Sequence, residues 1–171
     1  MTKIFLEAFT GSTKQWMYEA RNYSSLQQSV EVPTSVFGLP ESGTESAILT
    51  KADGNTERIT FSWTIRDEET SPIFNGSGVA VSTFTRSSDS KVFSCTTADG
   101  QYVFIQEVFE KIGITTNEKY RFLLYDDTNA DNLLSKYGIV SRIALSKQST
   151  DPVTWNATIE FTVGDDVTVT G

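Results

Sequence analysis

From Val153 to Val163 every odd position is apolar (Val153, Trp155, Ala157, Ile159, Phe161, Val163) and every even position is polar (Thr154, Asn156, Thr158, Glu160, Thr162). Side chains alternate across a strand, so this pattern predicts a half-buried strand with one face in a core and the other wet. Ile139 to Ser146 alternates in the same sense, and Gln148-Ser149-Thr150-Asp151-Pro152 supplies turn chemistry between the two, which predicts a hairpin. Ile59, Phe61, Trp63 and Ile65 alternate with Thr60, Ser62 and Thr64. The turn Ala52-Asp53-Gly54-Asn55 leads back from them to Ala47-Ile48-Leu49, predicting a second hairpin.

Ile4 to Phe9, Val79 to Phe84, Lys91 to Thr96 and Tyr120 to Tyr125 are further strand candidates. About eight strands result, which points to a mainly β chain, an antiparallel β-sandwich or partial barrel. One helix is expected over about 100–112: Asp99 is placed to cap it, Ile105, Val108, Phe109 and Ile112 recur at helical spacing, and Gly113 ends it. Tyr102, Val103 and Phe104 widen its apolar surface, so it must be covered on more than one side.

Residues 11–43 read as a long loop with Pro33 and Pro40, yet they carry Trp16, Met17, Tyr18, Val30, Val32, Val36, Phe37 and Leu39. Long irregular connections are uncommon in compact domains and are often functional. The segment is either an assembly loop or a cover for an open end of the sandwich. Residues 66–78 form a second long connection, and no linker divides the chain, so 1–171 is read as a single domain.

Composition narrows the function classes. The 171 residues include eleven Phe, six Tyr and three Trp, ample material for one core. Fourteen basic against twenty-two acidic residues give a formal charge of -8, which opposes a phosphate backbone and disfavours a nucleic-acid binder. Cys95 is the single cysteine, so the chain holds no intrachain disulfide. Glu7 interrupts the N-terminal apolar run too early for a signal peptide, and a cytoplasmic site of synthesis is expected. Triplets starting at Asn22, Asn75 and Asn156 match a glycosylation pattern that a Ser/Thr-rich chain meets by chance.

There is no histidine, which removes the commonest general base and metal ligand and every Ser-His-Asp or Cys-His arrangement. Cys95, with no His to activate it, reads as packing. Asp126 to Asn132 resembles the start of a calcium loop. Counted from Asp127, however, the turn Gly is replaced by Asn132 and the bidentate Glu by Gly138, so a solvated turn is the better reading. Glu107 and Glu110 stand three apart on the predicted helix and project together rather than flanking a substrate. Gly11-Ser12-Thr13-Lys14 lacks the spacing of a phosphate loop. No catalytic residue, cofactor site or metal site is expected, and the chain is read as non-enzymatic. Trp16, Tyr18 and Tyr23 offer either a sugar-stacking platform or interface anchors, and composition leaves both open.

Three C-terminal segments, Tyr120-Arg121-Phe122-Leu123-Leu124-Tyr125-Asp126, Tyr137 to Ser146 and Asp151 to Gly164, together resemble the tail tube proteins of tailed bacteriophages and archaeal viruses, and more distantly injection-system inner tubes. There a strand leads through a Gly to a second strand, a Pro-containing turn follows, and a Trp- or Phe-containing strand ends near a Gly and an acidic residue. The resemblance implies a structural virion protein in the virion tail: a subunit that self-assembles into rings, commonly sixfold, stacked into a conduit for DNA. It also implies partners among other tail proteins, passage of DNA without sequence-specific binding, and no membrane in the assembled state. Thr154, Asn156, Thr158, Glu160 and Thr162 would then line a hydrated lumen, with the acidic excess keeping DNA mobile. On alternation alone the same face is equally an ordinary outer surface. Trp16, Tyr18, Val36, Phe37 and Leu39 are the candidate inter-subunit contacts. Alternative roles are a tail terminator, a distal tail protein or another baseplate ring protein, or a β-sandwich carbohydrate-binding module using Trp16, Tyr18 or Tyr23.

Overall fold

A computed structural model describes residues 2–32, 34–38, 47–51, 56–110 and 118–164, with backbone alone for 34–38 and 47–51. The described elements are β1 (Thr2–Thr10), β2 (Thr13–Ala20), β3 (Tyr23–Glu31), β4 (Thr34–Gly38), β5 (Ala47–Lys51), β6 (Thr56–Ile65), β7 (Ile73–Asn75), β8 (Thr83–Thr85), β9 (Val92–Ser94), α1 (Ala98–Phe109), β10 (Glu118–Asp126), β11 (Asp131–Gln148) and β12 (Asp151–Val163). Eight strands form one antiparallel sheet in the order β3-β6-β12-β11-β10-β1-β2-β7, while β4-β5 and β8-β9 are separate pairs. The expected mainly β fold with one helix is observed, and the sheet does not close into a barrel.

The sheet folds back on itself because its apolar positions lie on one face. Trp63 on β6 and Tyr18 on β2, near opposite ends of the strand order, meet at 3.0 Å between indole Nε1 and the phenol oxygen. Phe61, Phe122 and Phe161 pack ring to ring in the middle, at 5.5 and 6.2 Å between centroids. The two halves therefore sandwich a common core that includes Ile4, Leu6, Ile59, Ile65 and Ile159, all essentially inaccessible. Each such side chain contributes about 1.5–3 kcal/mol relative to exposure.

The helix fills one opening of this sandwich. Phe104 touches Trp16, Tyr18 and Phe84 at 5.4, 6.2 and 5.2 Å, and Phe109 meets Tyr120 at 5.5 Å. Thr97, not Asp99, is its cap: the Thr97 hydroxyl accepts from the Gly100 amide and the Asp67 carboxylate accepts from the Ala98 amide. Asp99 falls one residue inside the first turn, where its carboxylate still favours the helix N-terminus. Ile112 and Gly113, expected near its end, lie outside the described residues.

Several expectations are corrected. The described part of 11–43 is mostly strand, not loop. In β2 the alternating Trp16, Tyr18 and Ala20 face the core, and in β3 most side chains are exposed because only one neighbour pairs with it. A positive φ at Gly11 (63°) lets the chain reverse in two residues between β1 and β2, and Asn22 also has a positive φ (55°) where the chain leaves β2 for β3 at the other end of the sheet. The hairpin expected between Ala47-Leu49 and Ile59-Ile65 does not form: β5 pairs with β4, and β6 lies between β3 and β12. Its turn, 52–55, lies outside the described residues. Val79 to Phe84 is mostly irregular, with an isolated bridge at Ala80 before β8 begins at Thr83. The β11–β12 hairpin is present, but its turn is Ser149-Thr150, closed by Gln148 opposite Asp151, with Pro152 inside β12. β11 is much longer than its alternation indicates, because its first half pairs with β10 and its second half with β12.

Candidate functional site

The predicted polar face of β12 is real and extends across neighbouring strands. Residues opposed in an antiparallel pair share a face. Asn156, Thr158, Glu160 and Thr162 therefore share theirs with Thr64, Ser62, Thr60 and Arg58 of β6, and Ser25, Gln27 and Ser29 of β3 continue it. Arg142, Ala144 and Ser146 of β11 extend it on the other side. Hydroxyls bond one another here: Ser62 Oγ and Thr158 Oγ1 are 2.8 Å apart, Thr162 Oγ1 donates to Ser141 Oγ at 3.0 Å, and Ser141 Oγ donates to the Glu160 carbonyl at 3.1 Å. All five residues proposed from sequence, Thr154, Asn156, Thr158, Glu160 and Thr162, are half-buried or exposed on this wall.

Its charge differs from expectation. The charged side chains along these four strands on this face are Glu31, Arg58, Glu160 and Arg142, two of each sign, with Arg58 Nη1 3.7 Å from Glu160 Oε1. The wall is therefore balanced and hydroxyl-rich, and the acidic excess of the whole chain is not concentrated on it.

Among the described residues the edges of this four-stranded segment β3-β6-β12-β11 are open. β3 is bonded to β6 on one side and has no strand partner on the other among the described residues. The register of β10 with β11 ends at Tyr120 opposite Gly138, so from Ile139 to Gln148 β11 is paired with β12 alone among the described residues. Gly138 marks the change of partner: a Cβ there would lie 2.1 Å from the Thr162 carbonyl oxygen, an approach only glycine permits. The far end of the large sheet is covered instead. β7 pairs with β2, the Glu19 amide donates to the Pro72 carbonyl at 2.9 Å, and Arg21 Nη1 donates to the Thr70 carbonyl at 2.7 Å.

The opposite outer face, over β1 and β10, carries a buried ion cluster that sequence reading missed. Glu7 is 1% exposed, accepts from Arg121 Nε at 2.5 Å and lies 3.5 Å from Lys14 Nζ. The Arg121 guanidinium also lies over the rings of Phe9 and Tyr137. The signal was the acidic residue inside an apolar strand, which needs a buried partner of opposite sign.

The remaining candidates separate clearly. Tyr18 is 2% exposed, with Gln101 accepting from its hydroxyl at 3.1 Å, and burial pushes the phenol pKa up. It is a core residue, so it serves neither as a surface anchor nor as a sugar platform. Trp16 is half-buried edge-on against Phe84 and Phe104. Tyr23, on the open β3 edge, is exposed. Val36 and Phe37 lie in β4, of which only backbone is described, and Leu39 lies outside the described residues.

Cys95 is fully buried and burial pushes its thiol up, away from the nucleophilic thiolate. Asp126 accepts from the Thr128 amide and from Asn129 Nδ2, the latter chiefly holding its carboxyl below the usual range, as a turn requires. Glu107 accepts from the Ser87 amide and hydroxyl. Among the described residues no three His, Cys, Asp or Glu converge as metal ligands, and no helix is long and apolar enough to cross a membrane.

No family model matches the chain, and no curated protein is detectably similar to it in sequence. A solved structure of the tail of an empty GTA particle, obtained by helical refinement in C6 symmetry, aligns with a TM-score of 0.44 and 8% identity. The alignment covers 98% of this chain and 96% of that one. A likeness at that score is too weak to carry an argument about function.

Proposed function

We propose that this protein is a structural subunit that joins copies of itself edge to edge into a ring, with the hydroxyl-rich face of β3, β6, β12 and β11 turned toward an enclosed, hydrated channel. The observation that carries the reading is the pair of open edges bounding that face. The nine residues of β3 and the second half of β11 each have a strand partner on one side only among the described residues. Natural proteins normally blunt long edges of this kind with Lys, Pro or bulges facing solvent. β3 has neither Lys nor Pro and its one bulge lies at its start, between Tyr23 and Ser25, whereas the β11 edge carries Lys147 and two bulges; pairing with another chain satisfies the donors and acceptors of β3.

The strand count favours a cyclic array. The four strands alternate in direction, so β3 and β11 run in opposite senses. Rotation about a ring axis preserves sense, and β11 of one copy therefore meets β3 of the next antiparallel, continuing the sheet without a break. A closed sheet has no edges left to aggregate.

The C-terminal resemblance to tail tube proteins supports a more specific version: a tail tube subunit in a virion, its rings sixfold and stacked, its lumen conducting DNA. A neutral hydroxyl wall suits that task because it offers no cationic field to retain a polyanion. The carbohydrate-binding alternative keeps only part of its platform, since Tyr18 is buried and Trp16 is half-buried against Phe104, leaving Tyr23 as the one exposed ring of the three.

Negative-stain microscopy of the concentrated protein tests the reading. Closed rings or stacked tubes with an open centre are expected. A protein that stays monomeric at high concentration, by microscopy and by sedimentation, overturns it.

A further inference from the structure

A diagonal row of charge crosses the polar face of the four-stranded segment. Glu31 on β3 is level with Thr56 of β6, Arg58 stands two residues further along β6, Glu160 on β12 is level with Thr60, and Arg142 on β11 is directly opposite Glu160. The signs alternate from one open edge to the other. Arg58 and Glu160 close on each other at 3.7 Å inside the segment. The end members, Glu31 and Arg142, are exposed, and neither side chain has an ion pair or hydrogen bond among the described residues.

We infer that Arg142 of one copy pairs with Glu31 of the next, so that the row continues around the assembly as a belt of alternating charge and sets the register in which the edges join. The inference rests on the edge-to-edge assembly proposed above and names the contact that specifies it. Three features of the chain converge on this pair.

The first is the need for a register signal. Register is weakly specified where strands are polar, and apart from Ile139 opposite Thr162 this face is otherwise Ser, Thr, Asn, Gln and Ala. Opposite charges at the two edges discriminate one alignment from its neighbours, because a slip of two residues leaves Arg142 facing Ser29.

The second is what the alignment does on the other face. With Arg142 opposite Glu31, antiparallel pairing sets Ile143 opposite Val30, whose side chain is 53% exposed in the single chain. It also sets Ala144 opposite Ser29 and Ser146 opposite Gln27, so the polar alternation carries across the joint, while on the other face one apolar pair forms and Leu145 meets Gln28.

The third is barrel geometry. Glu31 is level with Thr56 and Arg142 with Thr60, so matching them staggers successive copies by four residues over four strands. One residue of stagger per strand is the ratio of an eight-stranded barrel of shear eight, whose strands tilt by about 36°. A closed sheet needs a tilt of that order.

The test uses the whole chain under the conditions in which it assembles. Directly opposed residues have Cβ atoms about 4.5–5.5 Å apart, close to disulfide reach. A Glu31→Cys/Arg142→Cys chain, oxidised, is expected to give a ladder of covalent multimers on a non-reducing gel, whereas Glu31→Cys/Ser146→Cys, four residues out of register, is not. Separately, Glu31→Gln and Arg142→Gln are each expected to raise the concentration at half-assembly about threefold to fivefold, with the double variant no worse than either alone. Rings that form without the Glu31→Cys/Arg142→Cys cross-link, or substitution costs that are absent or additive, overturn the contact and leave the edge-to-edge reading standing. Failure of the unsubstituted protein to assemble overturns both.

Discussion

Trp63 donates its indole N–H to the hydroxyl of Tyr18 at 3.0 Å, joining strands that stand second and seventh in an eight-stranded sheet. Tyr18 donates its own hydroxyl proton to Gln101 Oε1 at 3.1 Å, and Gln101 Nε2 donates to the Arg66 carbonyl at 2.9 Å. Trp63, Tyr18 and Gln101 are each 2% exposed. One buried chain of hydrogen bonds therefore holds both halves of the sandwich and the helix together.

Tyr18→Phe keeps the ring and deletes the central member, leaving a buried indole donor and a buried amide oxygen unpaired. The expected cost is about 1–3 kcal/mol, because water cannot replace the lost partner. Urea unfolding followed by tryptophan fluorescence measures it, and an unchanged midpoint would show that the chain of bonds contributes nothing net.

Gly138→Ala tests the point where β11 exchanges β10 for β12. Its Cβ would meet the Thr162 carbonyl oxygen at 2.1 Å, against backbone that cannot rotate away. A loss of about 1–3 kcal/mol or more is expected, read as a lower thermal midpoint. Ala at the exposed Ser146 serves as the control, with an effect within about 0.5 kcal/mol.

Acid should loosen the contact between the helix and the β11–β12 hairpin. Trp155 stacks on Tyr102 at 4.0 Å and 11°, and its Nε1 donates to Asp99 at 3.1 Å while Lys147 Nζ lies 3.3 Å from the same carboxylate oxygen. The bond from Trp155, then that from Lys147, holds the Asp99 carboxyl below its usual range. A depressed folded-state value means the contribution is fully present above the unfolded value, about 3.9, and is lost as pH falls through the folded one. The Trp155 indole N–H resonance is expected to shift across that acid range in the native chain and to stay flat in Asp99→Asn. The same acid shift persisting in Asp99→Asn would assign it to another group.

Much of the fold was legible because alternation is a local property. Ile59 to Ile65 and Trp155 to Val163 place every second residue toward a core, and both strands are observed with those faces inward, whereas Val153, expected to join them, is exposed beside the hairpin turn. The helix was legible from its apolar spacing, although its cap shifted to Thr97, where the chain still has extended dihedrals. β3 was not legible: Tyr-Ser-Ser-Leu-Gln-Gln-Ser-Val-Glu has no continuous apolar face, because an edge strand with little packed beneath it needs none. Trp16, Tyr18 and Ala20 did alternate, but Met17 between them and the flanking turn residues masked the period.

The candidate site divides in the same way. That Thr154, Asn156, Thr158, Glu160 and Thr162 share one wet face follows from the sequence alone, since a strand's geometry dictates it. Which strands extend that face, that its charges balance, that its two edges have no further partner among the described residues and that Glu31 and Arg142 end one row were decided only by tertiary structure. Those facts depend on register between segments of which the farthest paired residues, Arg58 and Thr162, stand about a hundred apart in the chain. Register is set jointly by core packing on the opposite face, by the bulge between Val140 and Arg142 and by the glycine at 138, none of which a single strand's pattern contains.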